Sequence, residues 1–297
     1  MLSFALIILA SLFFSGLIVR TKSICAGRKG PGIFQPLKDV RRLFKKGTVY
    51  STSTTFVFRI APLIYAASVL MACACIPFGG KPGLIHFEGD FVFFAYVLSL
   101  GKFFCIIAAL DAASSFEGMG ASREALYSML AEPAFFLIMG SISLISGHTS
   151  FVDIFANLNS YGDAFHIGAT IVMAVILLII AMVESSRLPI DDPKTHLELT
   201  MIHEVMILDN SGFDLGLILS TGYMKFAMYG ALIANLFLAG PLAMSIGIFF
   251  LVQAVCAIAI GITESFMARF RMNHNPEFIF SVAAAALVLV FSIMQFS

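Results

Sequence analysis

The strongest constraint on this chain is a series of eight apolar runs, each close to the length that crosses a lipid bilayer. They lie at roughly residues 2–19, 56–78, 91–110, 127–147, 165–183, 215–238, 242–263 and 277–296. A helix needs about 20 mostly apolar residues to span the hydrocarbon core. Hydrophobic residues make up 59% of the chain, more than a soluble domain normally contains. The pattern predicts an all-α integral membrane protein: one bundle of about eight transmembrane helices over residues 1–297.

The positions of lysine and arginine predict how the bundle is oriented. The segment 20–55 holds half of the 18 basic residues, and the loops on the same side add Arg123, Arg187, Lys194, Arg269 and Arg271. The loops on the other side contain Lys81. Basic loops stay in the cytoplasm, so we expect cytoplasmic loops at 20–55, 111–126 and 184–214, and both termini outside an inner membrane. The first run has no basic start, so we expect a retained span and not a cleaved signal peptide.

The segment 183–212 concentrates charge in a chain that is only 12% charged. Pro189 and Pro193 restrict its first part, and apolar spacing from Thr195 onward predicts a helix. Clustered titratable groups at a membrane boundary usually mark ion pathways or sites. The candidate proton or coupling residues here are Glu184, Arg187, Asp191, Asp192, Glu198, His203, Glu204 and Asp209.

A second group of charges surrounds the predicted loop 111–126. Asp111, Arg123 and Glu124 lie in or beside it, and Glu132 falls within the next apolar run. An ionisable group at such depth usually faces the bundle interior or water. Small residues between these charges permit close helix packing. We therefore add these four residues to the candidate coupling set.

The segment 20–55 contains a short basic helix with an apolar face. Leu37, Val40 and Phe44 recur at helical spacing among basic residues. Such a helix either lies on anionic lipid or docks a partner. The candidate docking residues are Arg28, Lys29, Gln35, Lys38, Asp39, Arg41 and Arg42.

The motifs in these loops resemble one known family. Glu184-x-x-Arg187-x-Pro189-x-Asp191-x-Pro193 is similar to the acidic loop of the membrane subunit shared by respiratory complex I, where it is subunit 1, and membrane-bound NiFe hydrogenases. Three shorter segments resemble the same subunit: Gly27-Arg28-x-Gly30-Pro31 with Gln35-Pro36-Leu37-x-Asp39, Leu110-Asp111 with Gly120-Ala121-Ser122-Arg123-Glu124 and Glu132-Pro133, and Met224-Lys225. Lys225 joins the coupling set through this resemblance, although a lysine that snorkels to the interface is the alternative.

The resemblance implies a subunit that docks a peripheral redox arm and links electron transfer to proton or sodium translocation. Complex I typically has an asparagine where Gly32 stands, and glutamates where Lys194 and His196 stand. The departures at Lys194 and His196 reduce the acidity of the quinone site, and all three departures favour the hydrogenase branch, of the formate hydrogenlyase or energy-converting type. The implied partners are hydrogenase large and small subunits, an iron–sulfur subunit, antiporter-like membrane subunits and the lipid bilayer. A quinone site in a complex I-like oxidoreductase stays open as the alternative.

The residues themselves favour no cofactor or catalytic centre in this chain. The five cysteines form no C-x-x-C pair, so we expect the NiFe centre and the iron–sulfur clusters in partner subunits. His196 and His203 are a weak metal signal, and His203-Glu204 lacks the second histidine of a metalloprotease motif. The basic segment is too short to predict nucleic-acid binding. A secondary transporter acting alone is a third hypothesis, but it predicts an inverted repeat that the spacing of the runs does not show.

Overall fold

The computed structural model describes residues 1–158, 164–191, 201–238 and 240–296. These residues form α-helices joined by turns and loops, with one isolated β-bridge between Phe78 and Lys81. The helices are α1 (Leu2–Cys25), α2 (Gln35–Leu43), α3 (Phe56–Cys75), α4 (Asp90–Asp111), α5 (Ser115–Ser146), α6 (Phe151–Leu158), α7 (Ala164–Glu184), α8 (His203–Met206), α9 (Gly212–Asn235), α10 (Leu242–Phe266) and α11 (His274–Phe296).

Eight of these helices are long and apolar enough to cross a membrane: α1, α3, α4, α5, α7, α9, α10 and α11. They coincide with the eight apolar runs, which confirms the predicted all-α bundle. Only about a third or less of the most apolar window of α10 and α11 is buried within the chain. These two helices therefore present most of their surface to lipid or to other subunits.

The fourth membrane helix differs from its prediction because it begins before the apolar run. The run was predicted to start at residue 127, but α5 starts at Ser115 and has 32 residues. The segment 111–126, predicted as a loop, is therefore helical over most of its length. Small residues and helix formers fill it, and they do not interrupt a helix that finds packing partners. At 1.5 Å per residue α5 is about 48 Å long, so part of it lies beyond the hydrocarbon core.

The two predicted amphipathic helices are described to different extents. The basic helix is present as α2, with Pro36 and Val40 buried and its basic side chains exposed. The helix predicted from Thr195 falls partly outside the described residues. Of the described residues in this segment, His203–Met206 form the single helical turn α8, in which Val205 and Met206 are buried.

Helices α4, α5, α7 and α9 meet around the middle of the bundle, with α3 packed along α4. Gly101 of α4 allows this close contact, since a Cβ there would lie 2.0 Å from Oγ of Ser68 on α3. Gly120 does the same for α5, where a Cβ would lie 2.8 Å from the carbonyl oxygen of Ile202. These contacts fix the backbones that carry the polar side chains described next.

Candidate functional site

The centre of the bundle contains a carboxylate held between two lysines. The Oε1 atom of Glu184 lies 2.7 Å from Nζ of Lys102, and its Oε2 lies 2.7 Å from Nζ of Lys225. Lys225 is 1% exposed and its ammonium also lies 5.8 Å from the ring centre of Tyr65. The three charges come from α7, α4 and α9, so this pairing joins three membrane helices.

Lys102 has two further partners on α5. Its ammonium donates to Oγ of Ser128 at 2.6 Å and lies 3.5 Å from Oε1 of Glu124. Lys102 and Glu124 are each 7% exposed. Sequence reasoning missed Lys102, although an ionisable residue inside an apolar run is itself a signal of a functional site.

A cavity of about 190 Å³ joins this cluster to the turn α8. Its polar lining includes Lys102, Glu124, Glu184, His203 and Glu204. The remainder is mostly apolar and is contributed by α1, α2 and α9, with side chains such as Val19, Pro36, Ile218, Leu219 and Phe226. The cavity is large enough for several water molecules, and its mixed lining also fits an amphiphile with a polar head.

A second, smaller cavity of about 30 Å³ lies deeper in the bundle, on the other side of Lys102. Ser128, Glu132, Glu184 and Tyr229 contribute to its lining. Glu132 accepts a hydrogen bond from Ser99 of α4, so this predicted buried glutamate has a polar partner within the span. The cavity has room for a water molecule.

The turn that carries His203 and Glu204 is fixed by Asp191. One carboxylate oxygen of Asp191 accepts the backbone N–H groups of Ile202 and His203 at 3.2 and 3.1 Å. The other lies 3.0 Å from NH2 of Arg269, in the loop between α10 and α11. Asp191 is 1% exposed. Asp191 therefore joins this turn to the loop between α10 and α11.

Arg187 lines the cavity but has its partner on α10. Its NH1 lies 3.2 Å from Oε1 of Glu264, and Nζ of Lys22 lies 3.5 Å from Oε2 of the same glutamate. Glu264 is buried, at 6% exposure. Arg123 donates to the carbonyl oxygen of Met201 at 3.0 Å and helps to hold the start of the 201–207 turn.

Three other acidic residues make local contacts away from the central cluster, Asp111 and Glu117 through their carboxylates and Asp209 through its backbone N–H. Asp111 accepts from the backbone N–H and the hydroxyl of Thr55 at 2.7 and 2.9 Å, which joins the end of α4 to the start of α3. The N–H of Asp209 donates at 2.8 Å to Glu117, a fully buried residue that sequence reasoning did not select. Asp192 and Glu198 lie outside the described residues.

The predicted docking residues lie in α2 and in the segment before it. Most are exposed, Gln35 is half-buried, and Asp39 accepts from Gln35 at 2.8 Å and lies 3.6 Å from NH1 of Arg42. Both contacts are local and leave the surrounding basic groups accessible. The docking role of these residues stays a prediction.

The position of Lys225 decides between the two alternatives that the sequence left open for it. A snorkelling lysine would extend its ammonium to the interface. Lys225 instead ends inside the bundle on Glu184, at 1% exposure.

Burial changes the protonation of two residues of α8 that line the cavity, His203 and Glu204. Burial, with a further contribution from Asp191, raises the pKa of Glu204 to about 7, and Arg187 opposes this change. Burial lowers the pKa of His203 below its usual value of 6.5. At neutral pH Glu204 is therefore divided between its two protonation states while His203 is neutral, a combination suited to proton exchange.

The raised pKa of Glu204 gives a testable titration. We expect a carboxyl band in the infrared difference spectrum that titrates near pH 7 and disappears in Glu204→Gln. Since the folded protein holds this proton and the unfolded chain releases it near pH 4.5, the free energy of unfolding should fall as the pH rises from about 4.5 to 7. Glu277→Gln, an exposed substitution, is the control that should leave the band unchanged. A band that titrates below pH 5 in the wild type would contradict the assignment.

Comparisons with known proteins agree with this architecture. The sequence model of the family described as NADH dehydrogenase matches residues 1–295. Hydrogenase-4 component C of Escherichia coli is 28% identical over 93% of this chain and 90% of its own length, and formate hydrogenlyase subunit 4 of the same organism is 24% identical over 89% and 87%. A chain in the structure of the membrane-bound sulfane sulfur reductase, an archaeal respiratory membrane complex, superposes with a TM-score of 0.82 at 17% identity, covering 98% of this chain and 97% of that one.

Proposed function

This chain belongs to the NADH dehydrogenase family, and from that premise we propose that it is the membrane-arm coupling subunit of a membrane-bound NiFe hydrogenase complex. In this role it docks a peripheral redox arm at the cytoplasmic face. It links electron transfer there to proton or sodium translocation through its charged cavity. The redox chemistry belongs to partner subunits that carry the NiFe centre and the iron–sulfur clusters.

The observation that carries the proposal is the continuous placement of ionisable groups from the cytoplasmic end of the bundle into its middle. Glu204 and His203 lie at the cytoplasmic end, Lys102 and Glu184 at the centre, and Glu132 in the deeper cavity. Burying so many charges in a membrane protein is costly, and such groups usually serve ion or proton movement. We assign proton carriage to Glu204, Glu124 and Glu132, and a fixed anionic role to Glu184, because two lysines hold its two oxygens.

The surfaces of the bundle support partners of two kinds. The exposed basic residues of α2 and of the segment before it offer a cationic surface to a peripheral arm at the cytoplasmic face. The weakly buried outer helices α10 and α11 offer apolar surface to antiporter-like membrane subunits or to lipid. Both termini then lie outside an inner membrane.

The direct test is purification of this chain from its native membrane in mild detergent. We expect hydrogenase subunits in the eluate, stoichiometric nickel, and H₂ evolution from a reduced low-potential dye. A chain that elutes as an active ion transporter without partners would overturn the proposal.

One feature of the cavity favours a second candidate, the quinone-site subunit of a complex I-like oxidoreductase. The long apolar wall and charged inner end described above suit an isoprenoid quinone. An eluate that lacks nickel and reduces a short-chain quinone would establish this alternative in place of the hydrogenase.

A further inference from the structure

The three cavities around the charge cluster share one side chain. Lys102 lines the cavity of about 190 Å³, named the cytoplasmic cavity after the proposed orientation, the deeper cavity that reaches Glu132, and a third cavity of about 10 Å³ beside Asp191. Glu184 also lines the two larger cavities, but lysines hold both of its oxygens. Of these two shared groups, Lys102 is therefore the candidate to pass a proton between the cavities, and its backbone is fixed by the close contact of Gly101 with α3.

The two lysines of the cluster are not equivalent. Lys225 has one carboxylate partner, Glu184. Lys102 is shared between Glu184 at 2.7 Å and Glu124 at 3.5 Å, and it also donates to Ser128. An ammonium has three N–H donors, and Lys102 has one partner for each of them.

The charge balance of the cluster permits Lys102 to lose its proton. Lys102, Lys225, Glu124 and Glu184 together carry two positive and two negative charges. If Lys225 and Glu184 stay paired, Lys102 and Glu124 form a second neutral pair. A proton passing between these two leaves the net charge of the cluster at zero, which avoids the large cost of an unbalanced charge in a buried site.

From this geometry we propose that Lys102 is an obligatory proton relay between the cytoplasmic cavity and the deeper cavity. In the first step a proton from the cytoplasmic cavity binds the carboxylate of Glu124, while an N–H bond of the Lys102 ammonium breaks and its proton passes, through Ser128 or water in the deeper cavity, to the carboxylate of Glu132. In the second step the neutral amine takes the proton from the carboxyl of Glu124, which restores the ammonium and the carboxylate. Each proton transfer forms one bond to hydrogen and breaks one, and no oxidant or reductant is needed.

The relay rests on the proposed coupling function and predicts which substitutions stop it. Arginine keeps the positive charge but does not release a proton in proteins. If Lys102 relays protons, proton transfer should therefore stop in Lys102→Arg. If only its positive charge is needed, arginine should substitute for it. The double variant Lys102→Met/Glu124→Gln removes one positive and one negative charge, so the remaining Lys225–Glu184 pair stays balanced and the bundle should fold.

The experiment uses inverted native-membrane vesicles supplied with a reduced low-potential electron carrier. Proton uptake is measured with a permeant dye and is expressed per H₂ evolved. Proton uptake per H₂ should fall at least about tenfold in Lys102→Arg and in the double variant. Lys81→Met, a substitution at an exposed lysine of the opposite face, should keep the wild-type ratio.

The outcomes separate the relay from the coupling function. Wild-type uptake per H₂ in Lys102→Arg or in the double variant would overturn the relay and leave the coupling function in place. Sodium uptake without proton movement in wild-type vesicles would also overturn the relay and leave the coupling function in place. Wild-type membranes in which this chain is not associated with a nickel-containing complex would instead overturn the proposed function itself.

Discussion

Replacing Glu184 by alanine is expected to remove most of the folded protein from the membrane. The substitution leaves the ammonium groups of Lys102 and Lys225, both now 2.7 Å from Glu184 oxygens, without their shared anion. Removing one partner from a buried ion pair costs about 3–5 kcal/mol. That loss is a large part of the total stability of about 5–15 kcal/mol that is typical of a folded domain.

The measurement is the melting temperature of the detergent-solubilised chain, followed by fluorescence-detected size exclusion. A charge-balanced variant separates electrostatics from packing. Glu184→Ala/Lys225→Met leaves Lys102 facing Glu124 at 3.5 Å, so it should recover part of the lost stability. Glu277→Ala is the matched control, because its exposed contact with His274 at 2.9 Å is worth little in water. A wild-type melting temperature for Glu184→Ala would show that the two lysines do not depend on this carboxylate.

The eight membrane-spanning helices were predictable because they depend on local sequence. The eight apolar runs required no knowledge of long-range contacts. The start of α5 was harder, since Ser115 to Leu126 has no hydrophobic signal of its own. Its helix is supported by contacts such as those of Gly120 with Ile202 and Val205, and these form only when the later turn packs against it.

The candidate site was predictable as a set of residues but not as a set of pairs. The loop motifs identified Glu124, Glu184 and Glu204, which do line one cavity. Their partners come from distant parts of the chain, as in the contacts of Glu184 with Lys102 and of Arg187 with Glu264. Lys102 was missed because charge was counted in loops, whereas this lysine lies within an apolar run.

The ion-pair partners seen in the structure also change how the predicted residues are interpreted. Arg187 was predicted as a proton or coupling residue of the acidic segment, and the structure pairs it with Glu264 on α10. This contact, together with that of Lys22, connects the C-terminal ends of α1, α7 and α10. Burial and Asp191 raise the pKa of Glu204 even though Arg187 opposes the change.

Replacing Asp191 by alanine is expected to release the turn that carries His203 and Glu204. The variant loses the 3.0 Å ion pair with Arg269 and the acceptor for the N–H groups of Ile202 and His203. Because Asp191 is 1% exposed, water cannot readily replace these contacts, and we expect a stability loss of about 3–5 kcal/mol. Amide hydrogen exchange in residues 201–207 should become faster, since their opening then costs less free energy.

Two further variants make the measurement decisive. Asp191→Asn keeps an acceptor for the backbone N–H groups but removes the charge opposite Arg269, so its exchange rates should lie between those of the wild type and the alanine variant. Asp39→Ala removes an exposed carboxylate whose 3.6 Å contact with Arg42 lies on α2, and it should leave residues 201–207 protected. Unchanged exchange in Asp191→Ala would mean that Arg123 and Glu117, which contact Met201 and Asp209, are sufficient to hold the turn. Faster exchange accompanied by loss of the Glu204 titration near pH 7 would show that the burial of this carboxyl depends on Asp191.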